Sequence, residues 1–122
     1  MSAYNDLQQH IAEYNDLLNI LNTLKWDMRT QMPHGGSETR GNQLATLNKI
    51  AKEKFVSDTT ARLLDAAESE IANEDPDSYR VRAVQQTREY YDIQQRIPAE
   101  LVGRIAELAP TSEAVWAEAK AN

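Results

Sequence analysis

The chain has 122 residues, a formal net charge of −6 and no cysteine. Its length is that of one ordinary domain with a single core. The acidic balance argues against nucleic acid or an anionic membrane as the main partner, because both require a basic face. The lack of cysteine excludes disulfides and thiolate-bound metal sites. The start of the chain lacks the pattern of a signal peptide, so we expect a cytoplasmic protein.

The first segment has the apolar periodicity of a long helix. Apolar residues recur there at steps of four and three, at Leu7, Ile11, Tyr14, Leu18 and Leu21. This spacing predicts a buried amphipathic helix of about 25 residues. Pro33 disfavours helical geometry at Met32, and Gly35 and Gly36 supply freedom for positive φ. The helix is therefore expected to end near Gln31, and we call residues 26–36 the helix joint.

Shorter helices are predicted after the joint. Ser37 is a candidate N-cap for a second helix that runs to about Phe55. The pair Ser57-Asp58 is a candidate cap for a third helix, which residues 73–78 interrupt. Pro76 is a candidate first residue of the fourth helix, since a missing N–H costs nothing at that position.

Two further short helices are predicted in the last third of the chain. The fourth helix carries apolar residues on two faces, which predicts cover on both sides. Pro98 is expected to end it and start a fifth helix, which Pro110 closes, and Thr111 or Ser112 is expected to cap a sixth. The prediction is an all-α fold: one domain, residues 1–122, forming an antiparallel assembly of about six helices joined by short Pro, Gly or Asx loops.

The end of the sequence falls within a strongly helix-forming stretch, residues 114–121. A terminal helix usually repeats its apolar contact before it ends. We therefore expect a truncated chain. A deliberate end at Asn122, which tolerates left-handed geometry, is the alternative.

The two histidines lie on different predicted elements. His10 and Glu13 are three residues apart, but their order is opposite to the Glu-x-x-His of di-iron helix bundles, and a surface or boundary side chain is the preferred interpretation for His10. His34, beside two glycines, is either a ligand contact or a solvated loop imidazole. Metal-binding His-Glu-x-x-His pairs, phosphate loops and nucleophile elbows are missing from the sequence. The residues predict no catalytic group, no metal ligand and no cofactor within this chain.

Trp26 and Asp27 are adjacent at the predicted end of the first helix. The Asp27 carboxylate is expected to accept from Arg29, from Arg40 or from backbone donors near Gly35. Two interpretations remain open. The pair is either a core aromatic with a local ion pair, or part of the wall of a ligand cleft.

Several short motifs resemble, in order and spacing, the N-terminal segment of the carboxypeptidase Taq family of metallopeptidases. The motifs are Leu24-Lys25-Trp26-Asp27, Met32-Pro33, Gly35-Gly36, Arg40 and Gln43-Leu44-Ala45-Thr46-Leu47. The later run Ile97-Pro98-Ala99-Glu100-Leu101-Val102 and the helix that contains Trp116 look like its continuation. The resemblance extends from about Leu7 to Asn122.

The resemblance implies a large, mostly helical and often dimeric metallocarboxypeptidase that removes C-terminal residues from peptides in a deep cleft. In that family a His-Glu-x-x-His helix and a downstream glutamate hold a zinc ion, or cobalt, which polarises the scissile carbonyl and activates water. This chain contains none of those motif residues, so no catalytic or metal residue is carried over. The resemblance implies that this N-terminal segment forms part of one wall or lid of the peptide cleft. The residues carried over as a structural joint and possible cleft wall are Trp26, Asp27, Met32, Pro33, Gly35, Gly36 and Arg40.

Two functional hypotheses follow from the sequence. The first is the N-terminal helical part of a metallocarboxypeptidase, inactive alone, whose partner is the missing C-terminal catalytic region and which meets peptide substrate only in the full-length protein. The second is a free-standing helical module without enzymatic activity, which binds a partner or a second copy of itself.

Overall fold

The computed structural model describes residues 2–122, which fold almost entirely into five α-helices. The helices are α1 Ala3–Thr30, α2 Ser37–Phe55, α3 Asp58–Glu70, α4 Tyr79–Gln95 and α5 Ala99–Ala121. The described residues contain no strand. With 28 residues, α1 is the longest helix. The predicted all-α fold, with the first helix longest, is confirmed.

The chain divides into two compact units. The first unit contains the residues up to Asn15 and Lys52–Ile97, and the second contains Asp16–Ala51 and Pro98–Asn122. Both α1 and α2 contribute residues to each unit. The prediction of a single domain over residues 1–122 stays a prediction.

An aromatic cluster forms part of the core of the first unit. The ring centroid of the buried Phe55 lies 4.6 Å from that of Tyr14, 5.2 Å from that of Tyr90 and 6.0 Å from that of Tyr91. The hydroxyl groups of Tyr14 and Tyr90 are 3.2 Å apart and share a hydrogen bond. This cluster joins the N-terminal half of α1, the end of α2 and the last turns of α4.

Serine caps begin the two helices of the first unit that follow α2. The Ser57 hydroxyl accepts from Thr60 N at 3.3 Å, which confirms the predicted cap of α3. The Ser78 hydroxyl accepts from Val81 N at the start of α4. The prediction that Pro76 begins α4 is wrong, because Ser78 supplies a side-chain acceptor and the helix starts after it. Pro76 lies in the preceding turn.

One face of α4 is covered and the other is largely open. Val81, Val84 and Tyr91 are buried, whereas on the second face Ile93 is 55% exposed and Tyr90, although it contacts Phe55, is 40% exposed. Among the described residues the second face is therefore covered only in part, at Tyr90, and not along its whole length as predicted. None of the described helices combines the length and apolarity needed to cross a membrane.

In the second unit, α2 and α5 approach closely at two glycines. A Cβ atom added to Gly41 would lie 2.4 Å from the Glu107 carbonyl oxygen on α5. A Cβ atom added to Gly103 would lie 2.6 Å from Cε of Lys49 on α2. The missing side chain at Gly41 thus allows α2 to approach the backbone of α5, and the missing side chain at Gly103 makes room for the Lys49 side chain.

The predicted fifth and sixth helices are one continuous helix, α5, with Pro110 in its interior. The predicted break at Pro110 is wrong. Proline removes one backbone donor and clashes with the preceding turn, but the Pro110 ring is fully buried. Burial of that ring offsets the lost hydrogen bond. Pro98 is the N-cap residue of α5, as expected for the start of this element.

Candidate functional site

The helix joint is tied together by the guanidinium group of Arg40. From the first turn of α2, Arg40 Nη1 donates to the Leu24 carbonyl at 2.7 Å and Nη2 donates to Asp27 Oδ2 at 2.9 Å. Its Nε donates to Gln43 Oε1 at 3.0 Å. The Arg40 side chain is only 15% exposed, so these hydrogen bonds are partly shielded from water. Among the donors expected for the Asp27 carboxylate, Arg40 is the one that forms the hydrogen bond.

Backbone hydrogen bonds complete the turn. The Asp27 carbonyl accepts from Gln31 N at 2.8 Å and from Met32 N at 2.9 Å. Gly36 N donates to the Pro33 carbonyl, and the Gly36 carbonyl accepts from Arg40 N. Gly36 therefore occupies the position before α2, and the prediction of Ser37 as N-cap is wrong by one residue.

Neither glycine of the joint adopts a left-handed backbone conformation. No described residue has positive φ, so the expectation of positive φ at Gly35 and Gly36 is wrong. A Cβ atom on Gly36 would lie 3.0 Å from Met32 Cγ and 3.2 Å from the Pro33 carbonyl oxygen. Gly36 is thus required for close packing within the turn, whereas Gly35 is surrounded by open space.

Trp26 does not pack into the core. It is 61% exposed, so the interpretation of Trp26 as a core aromatic is wrong, while the ion pair of Asp27 with Arg40 is present. The Thr30 hydroxyl donates to the Trp26 carbonyl at 2.7 Å. The indole of Trp26 therefore lies on the surface at the last turns of α1.

A groove of about 690 Å³ lies beside the joint, between it and the C-terminal half of α5. Its apolar lining comes from Met28, Met32, Pro33, Pro110, Ala114, Trp116 and Ala117. Its polar lining includes His34, Ser37 and the ion pair between Arg29 Nε and Glu113 Oε1, which are 2.8 Å apart. Mostly apolar walls with a few polar groups are typical of ligand sites.

The groove brings together some of the predicted site residues and adds others. Met32 and Pro33 line it, and so does His34, whereas Trp26, Asp27 and Arg40 do not. The contribution of α5 was not predicted, because it depends on packing between segments about 80 residues apart. The only sequence signal for it was the resemblance at Trp116. Lys120 covers one face of that indole, with Nζ 4.9 Å from the ring centroid.

In the first unit, the His10 side chain is hydrogen-bonded to a side chain of α3. Its Nε2 is 2.8 Å from Thr60 Oγ1. Because the Thr60 hydroxyl donates to the Lys54 carbonyl, the imidazole N–H is the donor to Thr60. Burial lowers the pKa of His10 below its ordinary value, and the nearby Lys54 charge lowers it further. Glu13 is paired with Lys54 Nζ at 2.5 Å, and that hydrogen bond lowers the pKa of Glu13.

The structure defines an all-α protein with an apolar groove beside a hydrogen-bonded helix joint. Its sequence matches the family model described as Carboxypeptidase Taq (M32) metallopeptidase over residues 6–122, and the chain belongs to this family. It is 27% identical over 119 residues to Thermostable carboxypeptidase 1 of Thermus thermophilus. That match covers 98% of this chain and 23% of the relative, so the chain spans about a quarter of the length of that protein. The comparison with solved structures gave no match.

The described residues do not fit the metal site of a metallopeptidase. Within residues 2–122, no three His, Asp or Glu side chains converge where they would hold a metal ion. His10 and Glu13 are engaged with Thr60 and Lys54 respectively. His34 lines the groove without a second histidine near it in sequence.

Proposed function

We propose that this chain is the N-terminal helical region of a metal-dependent carboxypeptidase that removes C-terminal amino acids from peptides. The observation that carries the proposal is the family match, which extends over residues 6–122 and includes the whole helix joint. We assign the helix joint and its groove to the wall of the peptide cleft. The apolar lining of the groove suits the side chains of a peptide, and its polar groups suit the peptide backbone.

In this proposal Arg40 acts as a positioning residue. Its hydrogen bonds to Leu24 and Asp27 fix the end of α1 against α2, and this sets the positions of Met32 and Pro33 along the groove. Trp116 supplies the largest exposed apolar surface on the opposite side. The zinc or cobalt ion belongs to the remainder of the enzyme, so the chain alone is inactive. A cytoplasmic location is part of the proposal and is supported by the cysteine-free composition.

Peptide hydrolysis by a polypeptide of full family length that carries these residues tests the cleft assignment. Trp116→Ala is expected to raise KM about tenfold or more while kcat changes little, because an apolar contact to the bound peptide is lost. Tyr79→Ala is the control, since Tyr79 is 81% exposed and lies outside the groove. Unchanged KM in the Trp116 variant would contradict a role of the groove in peptide binding.

The isolated chain provides the complementary test. Incubated with peptides and either zinc or cobalt, residues 1–122 are expected to release no C-terminal amino acid, as measured by amino-acid analysis. Metal-dependent release would refute the proposal that the catalytic groups lie elsewhere.

A free-standing interaction module is the second candidate function. It is favoured by an apolar stripe along α5 that remains exposed among the described residues. The stripe consists of Leu101, Ile105, Leu108 and Val115, which are between 45% and 62% exposed. On this alternative the stripe, rather than the groove, is the functional surface.

A further inference from the structure

Two thioether side chains and an imidazole line the groove beside the helix joint. They belong to Met28, Met32 and His34. The chain has three methionines and two histidines in all, so most of its thioethers and half of its imidazoles lie along this one groove. Thioether sulfur and imidazole nitrogen are both ligands of soft metal ions. We call these three side chains the thioether cluster.

The end of α1 brings the two thioethers to the same side of the chain. Met28 and Met32 are four residues apart, a spacing that places side chains one above the other on a helix. Met32 lies just beyond the last residue of α1, but its N–H donates to the Asp27 carbonyl at 2.9 Å and keeps the backbone wound. The chain turns after Pro33, and His34 lines the groove as well. The backbone thus presents all three side chains to one groove.

Gly36 leaves room for the Met32 side chain within the joint. Cγ and Sδ of Met32 would lie 3.0 Å and 3.3 Å from a Cβ atom added to Gly36. The side chains of Met32 and Met28 are partly buried, whereas His34 is exposed. Packing therefore holds the two thioethers on the groove wall, and the exposed imidazole can rotate about its side-chain bonds to meet a bound ion.

The other groups of the groove favour a cation. The carboxylates of Glu113 and Glu118 line it against a single guanidinium group, that of Arg29, which is paired with Glu113. Trp116 presents an indole, whose face attracts cations, and Lys120 Nζ lies 4.9 Å from the centroid of that ring. These groups select a positively charged ligand over an anion.

We propose that the thioether cluster binds one soft monovalent metal ion, of the class of Cu(I) and Ag(I), with Met28, Met32 and His34 as its ligands. Thioether sulfur favours Cu(I), whereas zinc is held by thiolate, imidazole and carboxylate groups. The site is therefore chemically distinct from the metal centre of a metallopeptidase. It goes beyond the assignment of this groove to the peptide cleft and does not depend on peptide hydrolysis.

Titration calorimetry of the 122-residue chain with silver nitrate, in buffer free of chloride, tests the binding. The wild-type chain is expected to bind a single silver ion tightly. The double substitution Met28→Leu with Met32→Leu is expected to weaken that binding at least about 100-fold, since the loss of even an outer partner of a metal costs about tenfold or more. Leucine keeps the volume and apolar character of methionine, so the far-ultraviolet circular dichroism should be retained.

His10→Gln is the matched control, because it removes the other imidazole of the chain, which lies outside the groove. This variant is expected to bind silver like the wild type. A wild-type chain that does not bind silver, or equal binding by the double variant, would overturn the proposal. Zinc binding as tight as that of silver would show that imidazole and carboxylate groups form the site, and would overturn it as well.

Nuclear magnetic resonance of a chain with labelled methionine methyl groups identifies the ligands. One equivalent of silver nitrate is expected to shift the methyl signals of both Met28 and Met32, which the single variants Met28→Leu and Met32→Leu assign, and the ring signals of His34. A shift of only one of these methionines, or unchanged His34 signals, would contradict the three-ligand site. No peptide is present in either experiment, so a negative result leaves the peptide-cleft assignment standing, and the KM of the Trp116→Ala enzyme tests that assignment separately.

Discussion

At the scale of single residues, His10 couples the stability of the first unit to pH. Burial lowers its pKa in the folded chain below the ordinary value of 6.5, and Lys54 adds to that effect. As pH falls below about 6.5, the unfolded chain therefore takes up a proton at this position before the folded chain does. The contribution of His10 to the free energy of unfolding is fully present above pH 6.5. It is lost progressively as pH falls towards the folded pKa.

We predict that His10→Gln flattens the stability profile on the acid side of pH 6.5. Urea unfolding of the wild-type and variant chains, repeated between about pH 8 and pH 5, should give a difference in unfolding free energy that changes below about pH 6.5 and is constant above it. Staying above pH 5 avoids Glu13, whose lowered pKa acts in a more acidic range. Two parallel profiles would refute the prediction.

The partners of individual residues were only partly predictable. The sequence indicated Arg40 as one of several possible donors to Asp27, because the two lie on either side of one turn. It gave no sign that His10 meets Thr60, which is fifty residues further along the chain. Exposure of Trp26 was also unpredictable, since an indole beside a helix end is compatible with either face of the helix.

At the scale of helices, the crossing of α2 and α5 depends more on Gly41 than on Gly103. A Cβ atom at Gly41 meets a backbone carbonyl oxygen, which cannot move without displacing α5. A Cβ atom at Gly103 meets the far end of the Lys49 side chain, which can adopt another rotamer. The two glycines therefore form a matched pair for mutation.

We predict that Gly41→Ala lowers the free energy of unfolding by about 1–3 kcal/mol through overpacking. Gly103→Ala is expected to remain within about 1 kcal/mol of wild type or to be more stable, because alanine favours the helix. Chemical denaturation of both variants measures the difference. Equal effects, or a larger loss at Gly103, would show that the backbone contact at Gly41 does not limit the crossing.

Helix bounds were predicted well where a local signal sets them. Periodicity and Pro33 placed the end of α1, and Ser57 placed the start of α3, because both signals act within a few residues. The prediction failed at Pro110. Its local effect is to break a helix, whereas the burial of its ring depends on distant residues that the sequence pattern does not reveal.

At the scale of the whole chain, family membership and all-α class were available from short motifs and periodicity. The groove was not, because it requires α5 to pack beside the joint within the second unit. The exposed apolar stripe on α5 was likewise hidden, since a predicted break at Pro110 divided it between two helices. Only the continuous helix reveals that Leu101 and Val115 lie on one stripe.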